Sequence, residues 1–151
     1  MKILNYTIHI NAPKEKVWKT MTDSKKYKEW TKVFSDNSSF VGEWKEGTHI
    51  KFIDANLGGT KAFLVEVKPF DYILARHVAI IRKDGTEDTE SDVAKSWIDL
   101  TEEYTFKENK GETDLSIEMR SHEAYVNMFN ENWPKALKIL KKICEQSEKE
   151  S

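Results

Sequence analysis

Between Val126 and Cys144 the residues Val126, Phe129, Trp133, Ala136, Leu137, Leu140, Ile143 and Cys144 recur at three- and four-residue intervals, with lysines and glutamates between them. That spacing describes one long amphipathic helix. Most of the chain before it alternates in twos or breaks at turn residues. A single antiparallel sheet has one face to bury, and the only element long enough to cover it is this terminal helix, so the two must pack on each other. Pro134 lies inside the pattern; it removes one hydrogen bond and crowds the carbonyl four residues earlier. It predicts a kink, or a helix that starts near Asn130 to Asn132.

The period-two segments follow in order. Residues 2 to 10 place Leu4, Tyr6, Ile8 and Ile10 on one face of a strand. Asn11-Ala12-Pro13 stops it and opens a short helix over roughly 13 to 22, with Val17, Trp18 and Met21 on one side. Asp23 or Ser24 can cap a second short helix reaching about Trp30. Strands are predicted over Phe40 to Trp44 and Thr48 to Asp54, then a turn at Leu57-Gly58-Gly59-Thr60. Lys61 to Lys68 places Phe63, Val65 and Val67 together. After a break at Pro69-Phe70-Asp71, Tyr72 to Arg82 is the longest strand, and the acidic stretch 83 to 96 reads as a mobile, solvated loop or hairpin tip. Trp97 to Lys107 and Thr113 to Arg120 flank the hairpin signal Asn109-Lys110-Gly111.

A length of 151 residues supports one domain over residues 1–151 with a real core. Lys and Arg number 24 against 26 Asp and Glu, for a net charge of -2, so the overall field gives no reason to expect nucleic acid as a partner. No run approaches the roughly 18 apolar residues of a membrane helix, and none is expected to insert. The N-terminus has no continuous apolar signal region, and the single cysteine, Cys144, cannot form an internal disulfide. A cytoplasmic location is therefore expected. Neither a GxGxxG, a P-loop nor a Gly-x-Ser-x-Gly motif is present, and no cofactor is expected. His9, His49, His77 and His122 are far apart without ligand spacing, so no metal is expected either.

A strongly curved sheet wrapped around one helix leaves a gap, and gaps lined by aromatic side chains bind small apolar molecules. Trp30, Phe34, Phe52, Phe63, Trp97, Tyr104, Met119, Phe129 and Trp133 are candidates for its wall, or for plain core. Glu102 falls in the apolar row Ile98, Leu100, Tyr104, Phe106. A carboxylate there costs several kcal/mol unless paired or protonated. It is either a ligand-orienting or acid/base group, or a structural partner of a Lys or Arg, or a residue turned outward by a bulge. On the strand 72 to 82, either His77 faces inward with Ile73, Ala75, Ala79 and Ile81, or Arg76 does with Tyr72, Leu74, Val78 and Ile80 and pairs Glu102. Small residues beside one histidine favour the first.

Ile10-Asn11-Ala12-Pro13-Lys14-Glu15-Lys16-Val17-Trp18, Gly42-Glu43-Trp44-Lys45-Glu46-Gly47, Val65-Glu66-Val67-Lys68-Pro69, Glu103-Tyr104-Thr105-Phe106 with Gly111-Glu112-Thr113, and Trp133 with Leu137 and Leu140 are spread over nearly the whole chain. In that order they resemble the helix-grip fold of the START and birch-pollen-allergen (SRPBCC) superfamily, and more narrowly its branch related to the C-terminal domain of the activator of the heat-shock-90 ATPase. Asn132-Trp133-Pro134 departs from the usual Gly-Trp pair of that branch. The resemblance implies an α+β fold, a curved antiparallel sheet of about seven strands around the C-terminal helix, with two short helices after strand one. It implies binding of a small hydrophobic or amphipathic molecule between sheet and helix, without catalysis, Glu102 and His77 orienting its polar end. Two alternatives accompany it. One is a module that binds a chaperone through the lysines of residues 14 to 32; the other is a cavity enzyme of cyclase or hydrolase type with Glu102 as general acid/base.

Overall fold

The computed structural model describes residues 1–36, 38–54 and 58–150, with side chains described through Gln146. The alternation over Lys2–Ile10 forms strand β1, which buries Leu4 and Ile10. Pro13 then starts helix α1, Lys14–Thr22, its carbonyl accepting from the amides of Lys16 and Val17. Asp23 caps helix α2, Ser24–Trp30, by accepting from the amides of Lys25 and Lys26, a cap worth about 1 kcal/mol. There follow β2 (Ser38–Val41), β3 (His49–Asp54), β4 (Gly58–Lys68), β5 (Tyr72–Ile81), β6 (Glu87–Asp88), a short helix α3 (Asp92–Lys95), β7 (Thr101–Asn109) and β8 (Glu112–Ser121). A 3-10 turn over Glu123–Tyr125 leads into helix α4, Val126–Glu150.

The strands form one curved antiparallel sheet in the order β1-β8-β7-β5-β4-β3-β2, with β6 paired to β5 beside this path. Lys110 and Gly111 join β7 to β8 with φ of 55° and 80°, the two left-handed positions a tight hairpin needs. On the concave face Ile10, Ile50, Leu64, Ile73, Phe106, Leu115 and Ile117 are buried, and α4 lays Phe129, Trp133, Ala136, Leu137, Leu140 and Cys144 against them. Helices α1 and α2 add Val17, Trp18, Met21, Tyr27 and Trp30 to the same core. At Gly59 a β-carbon would overlap the carbonyl oxygen of Phe52, so the β3–β4 pairing requires glycine there.

Five expectations are corrected. Phe63 does not face the core: the buried residues of β4 are Ala62, Leu64 and Val67, and the register against β5 shifts between Lys61 and Ala62 and again between Leu64 and Glu66. The second places an extra residue, Val65, on β4, so Val67 faces the core while Phe63, between the buried Ala62 and Leu64, faces away. Phe63 therefore lies on the convex face beside His49 and under the Arg76 guanidinium. The strand expected from Trp97 begins at Thr101; Trp97 and Ile98 sit in the turn that follows α3, and Asp99 takes a left-handed φ of 72°. The acidic stretch 83 to 96 is organised rather than merely solvated. Asp88 is buried and accepts from the amides of Glu90 and Ser91 and from the Ser91 hydroxyl, and the Ser91 oxygen in turn caps α3. These bonds hold the Asp88 carboxyl down at about 2. Finally, α4 starts at Val126, well ahead of Pro134, and Asn130 accepts from the Tyr6 hydroxyl at 2.7 Å, tying that turn to β1. Of the predicted turn at residues 57–60, Leu57 lies outside the described residues and Gly58 to Thr60 belong to β4.

The two faces of β4 set a direct contrast. Leu64→Ala, at a fully buried position, is expected to cost about 2–5 kcal/mol in urea unfolding, whereas Phe63→Ala next to it costs about 1 kcal/mol. Equal losses would mean that the inward row of β4 is misassigned.

Candidate functional site

Where α2, β5, β7 and α4 meet, the concave face is not filled. A cavity of about 160 Å³ remains, walled by Met21, Tyr27, Trp30, Thr31, Phe34, Ser38, Trp44, Phe52, Thr60, His77, Trp97, Glu102, Tyr104, Phe129 and Trp133. Ala75 and Ala79 flank His77 on β5 and are buried, but of the three only His77 reaches the cavity wall. Trp133 is the hub of the aromatic wall, with ring centroids 5.2 Å from Phe34, 6.0 Å from Trp30 and 6.4 Å from Tyr104. Tyr27 packs edge-on against Trp30 at 5.3 Å and stacks on Phe52 at 6.3 Å. The His77 ring meets Trp97 edge-on at 5.2 Å. An open groove shares Phe34, Ser38, Phe52, Thr60 and Trp97 with the cavity and continues over Ile80, Val93 and Tyr125, which gives the cavity its mouth.

One charged pair interrupts this apolar wall. Glu102 lies opposite Ala75 of β5 and Met119 of β8, on the inward row of β7. Its carboxylate accepts from the Tyr104 hydroxyl at 2.7 Å and faces Nε2 of His77 at 3.4 Å. The Glu102 side chain is 14% exposed and that of His77 4%. Burial pushes the Glu102 carboxyl up, but the hydrogen bond and charge of His77 and the Tyr104 hydroxyl outweigh it and leave it below its ordinary value. Burial first, then the Glu102 charge, push the Tyr104 phenol well up, so it stays a donor. An ionised carboxylate only accepts, and His77 must therefore carry its proton on Nε2 to bond it.

Polar capacity in the wall is left over. The indole N–H groups of Trp44 and Trp133 and Nδ1 of His77 are buried with no hydrogen-bond partner. Trp30, by contrast, donates to the carbonyl of Met21 at 3.4 Å. Buried polar groups are nearly always paired, and each unpaired one costs on the order of 1–3 kcal/mol.

Of the residues singled out in the sequence, Trp30, Phe34, Phe52, His77, Trp97, Glu102, Tyr104, Phe129 and Trp133 come together around the cavity. Phe63 is on the convex face, and Met119 is buried in the core behind Glu102 without reaching the cavity. Arg76 does not pair Glu102; it points outward to Asp99 at 3.0 Å. Met21, Tyr27, Thr31, Ser38, Trp44 and Thr60 were missed. Tyr27, Trp30 and Thr31 stand at i, i+3 and i+4, so a helical reading of the first two carried a signal for the third member of that face. Trp44 shares the parity of Phe40, against which its ring packs at 5.5 Å. Among the described residues no cluster of three His, Cys, Asp or Glu side chains is placed to hold a metal ion, and no helix is long and apolar enough to cross a membrane.

A family described as Activator of Hsp90 ATPase homolog 1-like protein matches residues 11–145. No curated protein matches the chain. Among solved structures, protein MLL2253 from Mesorhizobium loti is similar with a TM-score of 0.74 at 13% identity, covering 96% of this chain and 98% of that one. The Aha1 dimer from Colwellia psychrerythraea gives 0.72 at 21% identity over 96% and 97%. ChR145 from Cytophaga hutchinsonii gives 0.71 at 20% identity over 97% and 96%. At these identities the likeness establishes the helix-grip fold.

The Glu102 anchor has a pH signature. Its folded pKa lies below the unfolded one, so the stabilisation is complete above the unfolded value of about 4.3 and fades as pH falls through the lower, folded value. Glu102→Gln is expected to cost about 2 kcal/mol at neutral pH, and its deficit relative to the parent narrows as pH falls below about 4.3. A deficit independent of pH in urea unfolding would mean that the carboxylate is not held by its neighbours.

Proposed function

We propose that this chain, which belongs to the Activator of Hsp90 ATPase homolog 1-like family, binds a small amphipathic molecule in the cavity between its sheet and α4. The observation that carries the reading is the cavity itself: an aromatic wall interrupted by a paired carboxylate. A core selected only for stability would fill this volume with hydrocarbon, since both an unfilled void and a buried ion pair are worth less than good apolar packing. Size limits the occupant. An apolar void of about 150 Å³ accepts benzene, whereas drug-sized ligands need about 300 Å³ or more. At about 160 Å³ the cavity suits one ring with short substituents.

The other two readings find less support. A chaperone contact through the lysines of α1 and α2 is weakened by the ion pairs of Lys14 with Asp71 and Lys19 with Glu15, although it fits the family description. General acid/base catalysis by Glu102 is disfavoured because Tyr104 and His77 stabilise its ionised form and so lower its basicity.

A thermal-shift series graded by size tests the proposal. Single-ring alcohols, phenols and ketones are expected to raise Tm with rising concentration, by the stabilisation linkage requires, about 2.7 kcal/mol at a hundred times Kd. Fused two-ring analogues should give little shift. If no single-ring compound stabilises the protein, the cavity is not a binding site.

A further inference from the structure

Resting on that reading, we infer that the ligand is a single ring bearing an alkyl chain that ends in hydrocarbon rather than in an acid, the ring in the cavity and the chain along the groove at its mouth. Size is the first reason. One ring fills a space of about 160 Å³, so a longer substituent has to leave by the mouth, which opens onto that groove. The strand register supplies the floor of the groove. Phe52 of β3 stands opposite Thr60 of β4, and Thr60 stands opposite Ile80 of β5, so the three form one row on one face of the sheet. Phe52 and Thr60 also line the cavity, whereas Ile80 lines the groove alone. The row crosses two inter-strand spacings, about 10 Å, which takes a chain of about six carbons with bonds near 1.5 Å.

The side of the groove is apolar too. Trp97 and Tyr125, with ring centroids 5.2 Å apart, line it together with Val93 of α3. Val93 is 56% exposed, and an apolar side chain left in water beside two aromatic rings and an apolar floor is the mark of a ligand groove. Helix α3 is only one turn long and is held by side chains rather than by its own length. Asp88 accepts from the amide of Ser91, and the Ser91 oxygen accepts from the amide of Ala94. That network fixes the segment that brings Val93 to the groove. Among the described residues no Lys or Arg lines either space, and the one charged side chain of the groove is Asp54. A carboxylate at the end of the chain would therefore find no counter-ion and would meet like charge.

Calorimetric titration of the full chain with 4-methylphenol, 4-ethylphenol, 4-butylphenol and 4-hexylphenol tests this. Full burial of a methylene is worth about fourfold in affinity, and a groove open on one side gives about half of that free energy, so Kd is expected to fall about twofold per methylene and about thirtyfold from the methyl to the hexyl compound. The acid 4-(4-hydroxyphenyl)butanoate should bind at least about tenfold more weakly than 4-butylphenol. Val93→Asp is expected to cut the hexyl-to-methyl ratio by about threefold or more, whereas Val41→Asp, equally exposed but at the end of β2 and outside the groove, keeps it. A Kd that is flat or rises beyond 4-ethylphenol, an acid that binds as tightly as 4-butylphenol, or a ratio unchanged by Val93→Asp would each overturn the inference, while binding of 4-methylphenol leaves the cavity reading standing. If 4-methylphenol itself does not bind, the cavity reading fails and this inference fails with it.

Discussion

The packing of one apolar helix stripe into one concave sheet face is the constraint on which the structure depends. Leu137, Leu140 and Cys144 of α4 meet Ile10, Leu115 and the neighbouring core, and there the two surfaces close on each other. One helix does not follow a curved sheet along its whole length. Where they diverge, near the first half of α4, bulky aromatic side chains from α2 and β3 reach across the gap, and rings of fixed shape do not fill an irregular space. The cavity thus follows from the fold, whereas its polarity follows from particular residues.

Those residues are few. Tyr104 and Glu102 lie two apart on one strand and so on one face, which places the phenol beside the carboxylate without help from another element. His77 comes from β5, the neighbouring strand, close enough for its Nε2 to meet the second oxygen. Both strands are interior to the sheet, so the pair sits on backbone held by neighbours on either side. A site on such elements keeps its geometry without a ligand present, and preorganisation of that kind lowers the cost of binding.

Much of this was legible in the sequence. The period change at Val126 gave the terminal helix and hence the architecture. The alternation over residues 72 to 82, with its small residues beside one histidine, placed His77 correctly inward. Glu102 stood out because it broke an apolar row. Other features depended on interactions that no local pattern records. The irregularity at Val65 that sets Phe63 and Val67 on opposite faces of β4 arises from pairing with β5, and parity read along one strand cannot register it. The capping of α3 by Ser91, with Asp88 beneath it, is hidden inside what composition reports only as an acidic run. Trp44 lies beyond the end of β2 and reaches the cavity through ring contacts with Phe40 and Phe52.

The central claim is that the space among Phe34, Trp133, Tyr104 and His77 is a real, accessible cavity in a folded core. Crystals equilibrated with pressurised xenon test it most directly, because xenon enters dry apolar cavities of about this size and scatters strongly. The account predicts a xenon site inside the wall formed by Trp30, Phe34, Phe129 and Trp133. Crystals in which those rings have closed together, with no xenon between them, would contradict it.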